Sequence, residues 1–217
     1  MTWLTLSKYT DFTDDDYIRF REWIAKEKRE CIDRYRFAGD YKRSLLGDAM
    51  ARKMMQNVTG IAAGDLDIRI DANGKPYVSN ADHIHFNLSH SGEYVACILS
   101  DRPCGIDVEL MKDGNIGIAR RFFRESEYRY ILDGAEEMRK ERFYEIWTAR
   151  EAYSKLDGMG IVVGFDSFEL VKKQGGFAVM VDGSQRGSVV TRGIEENYML
   201  SYTVEGGCSA KEKIINW

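Results

Sequence analysis

The apolar residues of this chain recur at a period of about 3.6 in some stretches and 2 in others, and the order of those stretches limits the folds open to it. Trp3 to Leu6 alternates like a short strand. Asp14, Asp15 and Asp16 then open a stretch in which Tyr17, Phe20, Trp23 and Ile24 fall at helical spacing. Between Tyr41 and Thr59 a second helical stripe is formed by Leu45, Leu46, Ala49, Met50, Met54 and Val58. Asn73-Gly74-Lys75-Pro76 reads as a turn, because Gly tolerates positive φ and Pro76 holds Lys75 extended. Strand-like runs follow at Tyr94 to Leu99 and Ile106 to Leu110, then helical patterns at Ile116 to Leu132 and Lys140 to Leu156. Phe165 to Val171, Phe177 to Val181, Ser188 to Thr191 and Tyr198 to Val204 close the chain as strands, with Gln174-Gly175-Gly176 as one of their turns. Helices segregated from an antiparallel meander predict an α+β fold. Arg102-Pro103 reads as a boundary, giving an N-terminal part over residues 1–102 and a C-terminal part over 103–217.

Composition narrows the class of partner more than the fold. With 44% hydrophobic and 30% charged residues and a net charge of -4, the chain has the make-up of a globular protein rather than a disordered one. An acidic balance argues against a nucleic-acid binder, whose affinity rests on a basic surface. The four cysteines form no CxxC pair, and His83 and His85 lack the Cys or third close His that a zinc set needs. The first residues carry neither a basic leader with an apolar core nor a membrane-spanning run, so a cytoplasmic, membrane-free location is expected, and a monomer with it.

Three short segments carry chemistry. In Gly105-Ile106-Asp107-Val108-Glu109 the strand period sends both carboxylates to one face, a donor pair suited to magnesium, which takes one or two carboxylates and shares substrate phosphates. A strand with a solvated acidic face is the plain alternative. In Trp147-Thr148-Ala149-Arg150-Glu151-Ala152-Tyr153-Ser154-Lys155, Glu151 and Lys155 stand four apart on one helix face. Such a pair could bring a ligand or base together with a phosphate-holding ammonium, or be an ordinary surface pair. Phe86-Asn87-Leu88-Ser89-His90-Ser91-Gly92 reads as a short turn of small donors ahead of an apolar strand, fit for a phosphate. P-loop, GxGxxG and GxSxG signatures are missing from the sequence, which removes the commonest phosphate-handling and serine-hydrolase folds.

Taken in order, FNLSHSG, GIDVE, RFFRESEY and WTAREAYSK followed by Gly158-Met159-Gly160 resemble the Sfp-type phosphopantetheinyl transferases. The strong part runs from Lys75 to Gly160. Lys28-Arg29-Glu30 and Arg43-Ser44-Leu45-Leu46-Gly47-Asp48 extend it toward the N-terminus. The resemblance implies two similar α+β subdomains related by a pseudo-twofold axis, with coenzyme A as substrate and magnesium as cofactor. It implies that Asp107, Glu109 and Glu151 hold the metal and that Ser89, His90 and Lys155 contact the phosphates. Lys28, Arg43 and His90 would surround the ribose 3′-phosphate, and Lys75 and Pro76 would lie by the adenosine. The serine of an apo acyl or peptidyl carrier protein would attack the β-phosphate, with Glu151 as base and Glu109 as the alternative, and His90 and Lys155 neutralising charge. Ile116 to Phe123 would offer apolar and basic contacts to an acidic carrier helix. Two rival readings are a magnesium-dependent hydrolase of a nucleotide pyrophosphate and a non-catalytic carrier-binding module. Two departures stand out: Arg150 replaces the lysine usual before the motif's glutamate, and Cys31 replaces a basic residue of some relatives.

Overall fold

A computed structural model describes residues 1–113, 116–157 and 167–207, together with the backbone of 212–214. The chain divides into two compact units, Met1–Arg102 with Ser209–Trp217, and Pro103–Cys208.

The first unit opens with strand β1 (Thr2–Lys8) and the helices α1 (Asp14–Trp23), α2 (Lys26–Ile32) and α3 (Ala38–Thr59). Helix α1 starts on a capping box: the Asp16 amide donates to Thr13 Oγ1 at 3.3 Å, and the Thr13 amide donates back to Asp16 Oδ2 at 2.9 Å. Asp14, Asp15 and Asp16 thus sit in the first turn, where the helix dipole favours them. Helix α3 ends at Gly60, which takes φ 76°. Strands β2 (Ile68–Ile70) and β3 (Pro76–Val78) form a hairpin around the Asn73-Gly74 turn, and β4 (His85–Ser91) and β5 (Tyr94–Ser100) form a second. The segment Phe86 to Gly92 is therefore a strand with a turn at its end, not the free turn that its small polar residues suggest. Its apolar members explain this: Phe86 is buried and Leu88 packs against the core, while Asn87, Ser89 and Ser91 occupy the alternate positions.

Pro103–Cys208 is built from β6 (Cys104–Leu110), α4 (Ile116–Phe122), α5 (Glu125–Leu132) and α6 (Arg139–Asp157), followed by β7 (Glu169–Lys173), β8 (Gly176–Val181), β9 (Ser184–Ile194) and β10 (Tyr198–Val204). The stretch read as one helix over Ile116 to Leu132 is two, because Arg124 turns extended and caps α5, with Glu127 accepting from its amide at 3.1 Å. The five strands pair antiparallel in the order β6-β10-β9-β8-β7. Helix α6 lies on β6, β10 and β9, and Phe123, Phe143, Ile146, Phe168, Phe177 and Val189 contribute to the core.

A last short strand, β11 (Glu212–Ile214), pairs parallel with β1 and completes a four-stranded sheet, β11-β1-β5-β4, under α3. The terminal segment so groups with the first unit, whereas the sequence reading kept all of 103–217 together. Cys208, the Gly158-Met159-Gly160 run and the start of the expected Phe165 strand lie outside the described residues.

Candidate active site

Where α6 crosses β6, the side chains singled out in the GIDVE and WTAREAYSK segments meet. The strand alternation puts Gly105, Asp107 and Glu109 on one face, and a Cβ built on Gly105 would stand 2.0 Å from the Ala152 carbonyl oxygen and 2.9 Å from the Leu156 amide nitrogen of α6. Only glycine allows this approach. The helix backbone therefore lies directly on the strand, and Glu151 and Lys155, on the turns flanking Ala152, are brought beside Asp107.

Lys155 Nζ donates to Asp107 Oδ1 at 2.7 Å and to the Ile106 carbonyl oxygen at 3.1 Å. Asp107 is 3% exposed and Glu151 7%, whereas Glu109 is half-buried near the strand's end. Burial pushes the Glu151 carboxyl up to about 7; the negative charge of Asp107 adds to the rise, Lys155 opposes it, and Glu109 raises it further. Asp107, Glu151 and the half-buried Glu109 thus lie near enough for their charges to interact, with one ammonium among them. That excess of buried negative charge on hard oxygen donors fits a divalent cation such as magnesium. As the side chains stand, no group of three or more His, Cys, Asp or Glu among the described residues is gathered closely enough to hold an ion, and the Lys155 ammonium takes one place beside Asp107.

Arg150 and Glu151 are neighbours in sequence but turn to different surroundings. The Arg150 guanidinium is buried against Glu127 of the RFFRESEY segment, with Nε and Nη2 donating to its carboxylate at 2.9, 2.6 and 2.7 Å. Its plane lies over the Phe168 ring at 4.8 Å and the Phe123 ring at 5.9 Å. Glu127 also accepts from the Leu170 amide at 2.9 Å, so one ion pair ties α5, α6 and the start of β7. This explains the arginine: its planar fork satisfies both oxygens of a buried carboxylate, which a lysine's point charge does less well. Thr148 donates to the Tyr144 carbonyl oxygen at 2.8 Å, and its hydroxyl meets Ser201 Oγ at 2.7 Å, on β10 directly opposite Asp107. Gly105, Glu127 and the Thr148–Ser201 contact were not singled out as site features from sequence. A glycine leading an alternating strand was the available signal for the first.

Within the first unit, Arg43 reaches from α3 to the β4–β5 turn, where its Nη1 donates to the Gly92 carbonyl oxygen at 2.8 Å; Asp40 pairs with its other amino group and Tyr9 lies under it at 5.4 Å. His90 shares a strand face with Leu88, whose side chain lies in contact range of Gly47 on α3, one helical turn beyond Arg43. Exposed His90 and half-buried Arg43 thus occupy one corner of this unit, while Ser89 is buried on the other face of β4. Lys28 is half-buried on α2, with exposed Cys31 one turn on. Lys75 and Pro76 are half-buried in the β2–β3 hairpin, where the Lys75 amide donates to Asp71 Oδ1 at 2.9 Å. In the Ile116 to Phe123 segment, Ile118 and Phe122 are exposed beside Arg120 and Arg121, whereas Phe123 is stacked inside the core on Phe143 at 5.5 Å. Among the described residues no helix is long and apolar enough to cross a membrane.

Comparison with known proteins agrees with this chemistry. Residues 11–101 match the family model described as 4′-phosphopantetheinyl transferase, N-terminal, and residues 103–203 match that of the 4′-phosphopantetheinyl transferase superfamily. A 4′-phosphopantetheinyl transferase of Bacillus subtilis is 32% identical over 180 residues, which cover 82% of this chain and 80% of the relative. The 4′-phosphopantetheinyl transferase psf-1 of Bacillus pumilus is 35% identical over 162 residues, covering 75% and 70%. The 4′-phosphopantetheinyl transferase Sfp of Bacillus subtilis strain 168 is 34% identical over 158 residues, covering 73% and 70%. With relatives this similar over most of both chains, and with both family models matched in sequence order, the chain belongs to the 4′-phosphopantetheinyl transferase superfamily.

Proposed function

We propose that this enzyme transfers the 4′-phosphopantetheine group of coenzyme A to a serine of an apo acyl or peptidyl carrier protein and releases 3′,5′-adenosine bisphosphate, with magnesium held by Asp107, Glu109 and Glu151. Beside the family membership, the observation that carries this reading is the meeting of Asp107, Glu151 and Lys155 where α6 lies on β6.

The serine Oγ attacks the β-phosphate, the bond from that phosphorus to the bridging oxygen breaks, and the adenosine bisphosphate departs with the bond's electrons. Glu151 takes the serine proton. In the metal-free protein its carboxyl sits at about 7, so it is partly ionised near neutral pH and able to hold a proton, as a general base must. Glu109, half-buried, is the alternative base. Lys155 offers an ammonium to the diphosphate. Magnesium, when bound, supplies the charge neutralisation that favours loss of a phosphorylated leaving group. Ser89 and His90 contact the diphosphate, Lys28, Arg43 and His90 hold the 3′-phosphate, and Lys75 and Pro76 border the adenosine. Exposed Ile118 and Phe122 with Arg120 and Arg121 suit an acidic, partly apolar carrier helix.

Mixing the protein with an apo carrier, coenzyme A and magnesium should add the phosphopantetheine mass to the carrier serine, read by intact mass spectrometry. Asp107→Ala and Glu151→Ala should each abolish the addition. Release of free phosphopantetheine without a carrier would point instead to a pyrophosphate hydrolase, and full activity in both variants would refute the site.

A further inference from the structure

The Lys155 ammonium occupies a position that a metal ion would also seek. It sits 2.7 Å from Asp107 Oδ1 and 3.1 Å from the Ile106 carbonyl oxygen, two hard oxygen donors of the kind that bind divalent cations. Asp107 has 5% of its side chain exposed, so its charge is held in a medium where an opposite charge matters far more than in water. The same oxygen does not serve both partners at full strength, because two cations a few ångströms apart repel each other strongly in such a medium. Lys155, by contrast, has 28% of its side chain exposed and a flexible four-carbon stem, so its ammonium has somewhere to go.

We propose that Lys155 is a two-position residue that couples cation binding to phosphate binding: paired with Asp107 it neutralises the buried carboxylate, and a divalent cation taking Asp107 releases the ammonium to a phosphate oxygen of coenzyme A. The inference rests on the reading of Asp107 as a metal ligand and goes beyond it, since it gives Lys155 a task before the substrate arrives. A cation alone binds weakly because it has to break the Lys155–Asp107 pair. Coenzyme A, by giving the displaced ammonium a new partner, tightens the cation, and by linkage the cation tightens coenzyme A equally.

Free Mn2+ followed by electron paramagnetic resonance during titration tests this without any turnover. Lys155→Met should bind Mn2+ alone roughly tenfold more tightly than the wild type, the scale of one charge-assisted hydrogen bond. Lys140→Met removes the same charge from a surface pair with Asp113 and should change the affinity less than about twofold. Lys155→Gln keeps a donor for Asp107 without the charge, guards against a folding defect in the methionine variant, and should also tighten Mn2+. Coenzyme A should raise Mn2+ affinity more in the wild type than in either Lys155 variant. Lys155 variants that bind Mn2+ no better than Lys140→Met, or more weakly than the wild type, overturn the two-position inference. If wild-type binding is meanwhile lost in Asp107→Asn, the metal site itself stands; if neither the wild type with coenzyme A nor the Lys155 variants bind Mn2+ at millimolar concentration, both fall.

Discussion

Replacing Gly105 by alanine should damage the site more than any substitution of similar size, although the residue carries no functional group. The new Cβ would stand 2.0 Å from the Ala152 carbonyl oxygen, against about 3.4 Å for an ordinary van der Waals contact, so β6 and α6 have to part by about 1.4 Å. Both atoms in its way, the Ala152 oxygen and the Leu156 nitrogen, are helix backbone, and no side-chain rotation relieves the clash. Overpacking of this kind costs about 1–3 kcal/mol, and the rigidity of both partners puts Gly105→Ala near the top, at about 3 kcal/mol. The same displacement carries the 2.7 Å contact between Lys155 and Asp107 to about 4 Å, the edge of an ion pair, and moves Glu151 by a similar amount. A misplacement of about 1 Å is enough to cost about a hundredfold in rate.

The assay pairs urea denaturation with kcat/KM for carrier modification, and Gly64→Ala serves as control, since a Cβ there meets nothing within 4 Å. Gly105→Ala should lose about 3 kcal/mol and about a hundredfold in kcat/KM; Gly64→Ala should lose less than about 0.5 kcal/mol and no activity. A Gly105→Ala protein with wild-type stability and turnover would show that helix and strand separate freely, and the argument that glycine sets the site's geometry would fail.

Three further outcomes are expected. Because the folded protein holds the Glu151 proton up to about 7, against 4.5 for an unperturbed carboxyl, the folded state binds more protons than the unfolded one between these values, and stability falls as pH rises through that window. In chelator, Glu151→Gln should therefore gain about 3 kcal/mol over the wild type at pH 8 and almost nothing at pH 4.5; equal gains at both pH values in urea melts would contradict the buried carboxyl. Arg150→Met leaves Glu127 buried without its counter-charge and should cost about 3–5 kcal/mol in the same melts, with Arg150→Lys losing clearly less; a neutral Arg150→Met would mean that the pair bears no load. Ser201→Ala, which takes away one partner each of Thr148 and Thr191 while Thr148 keeps its bond to the Tyr144 carbonyl oxygen, should cost about 1–3 kcal/mol, and a loss below that range would show that the Thr191 hydroxyl finds another partner.

The helices and strands were legible wherever a periodic stripe was long, as in α3, α6 and β10, because burial on one face fixes the period. The errors fell where side-chain chemistry and backbone state pull apart. Ser89, His90 and Ser91 favour turns by composition, yet Phe86 and Leu88 between them hold the segment in the sheet. The break between α4 and α5 at Arg124 depends on Glu127, which is held by Arg150 from another helix, and β11 depends on a partner at the opposite end of the chain. Such long-range partners leave no local trace. For the site, the strand period told correctly that Asp107 and Glu109 share a face, but not that a helix lies on that face and buries Asp107.

The depth of that burial changes how the WTAREAYSK motif is understood. Glu151 and Lys155 at i, i+4 would be a marginal surface pair on an isolated helix. Here they flank Ala152, the residue whose carbonyl presses on Gly105, while Arg150 anchors the same turn to Glu127. One turn of α6 is thus fixed from two sides, by a backbone contact that admits no side chain and by an ion pair in which both side chains are almost wholly buried. Glu151 lies between these anchors with little freedom to move out to water or away from Asp107, so the burial that raises its carboxyl to about 7, and the Asp107 charge that adds to the rise, are held in place by the fold instead of being relaxed by movement. A carboxyl held near neutrality by burial depends on both anchors, and loosening either Gly105 or Arg150 should let water reach Glu151 and lower its pKa toward 4.5 in the metal-free protein, visible in chelator as a smaller stability gain from Glu151→Gln at pH 8.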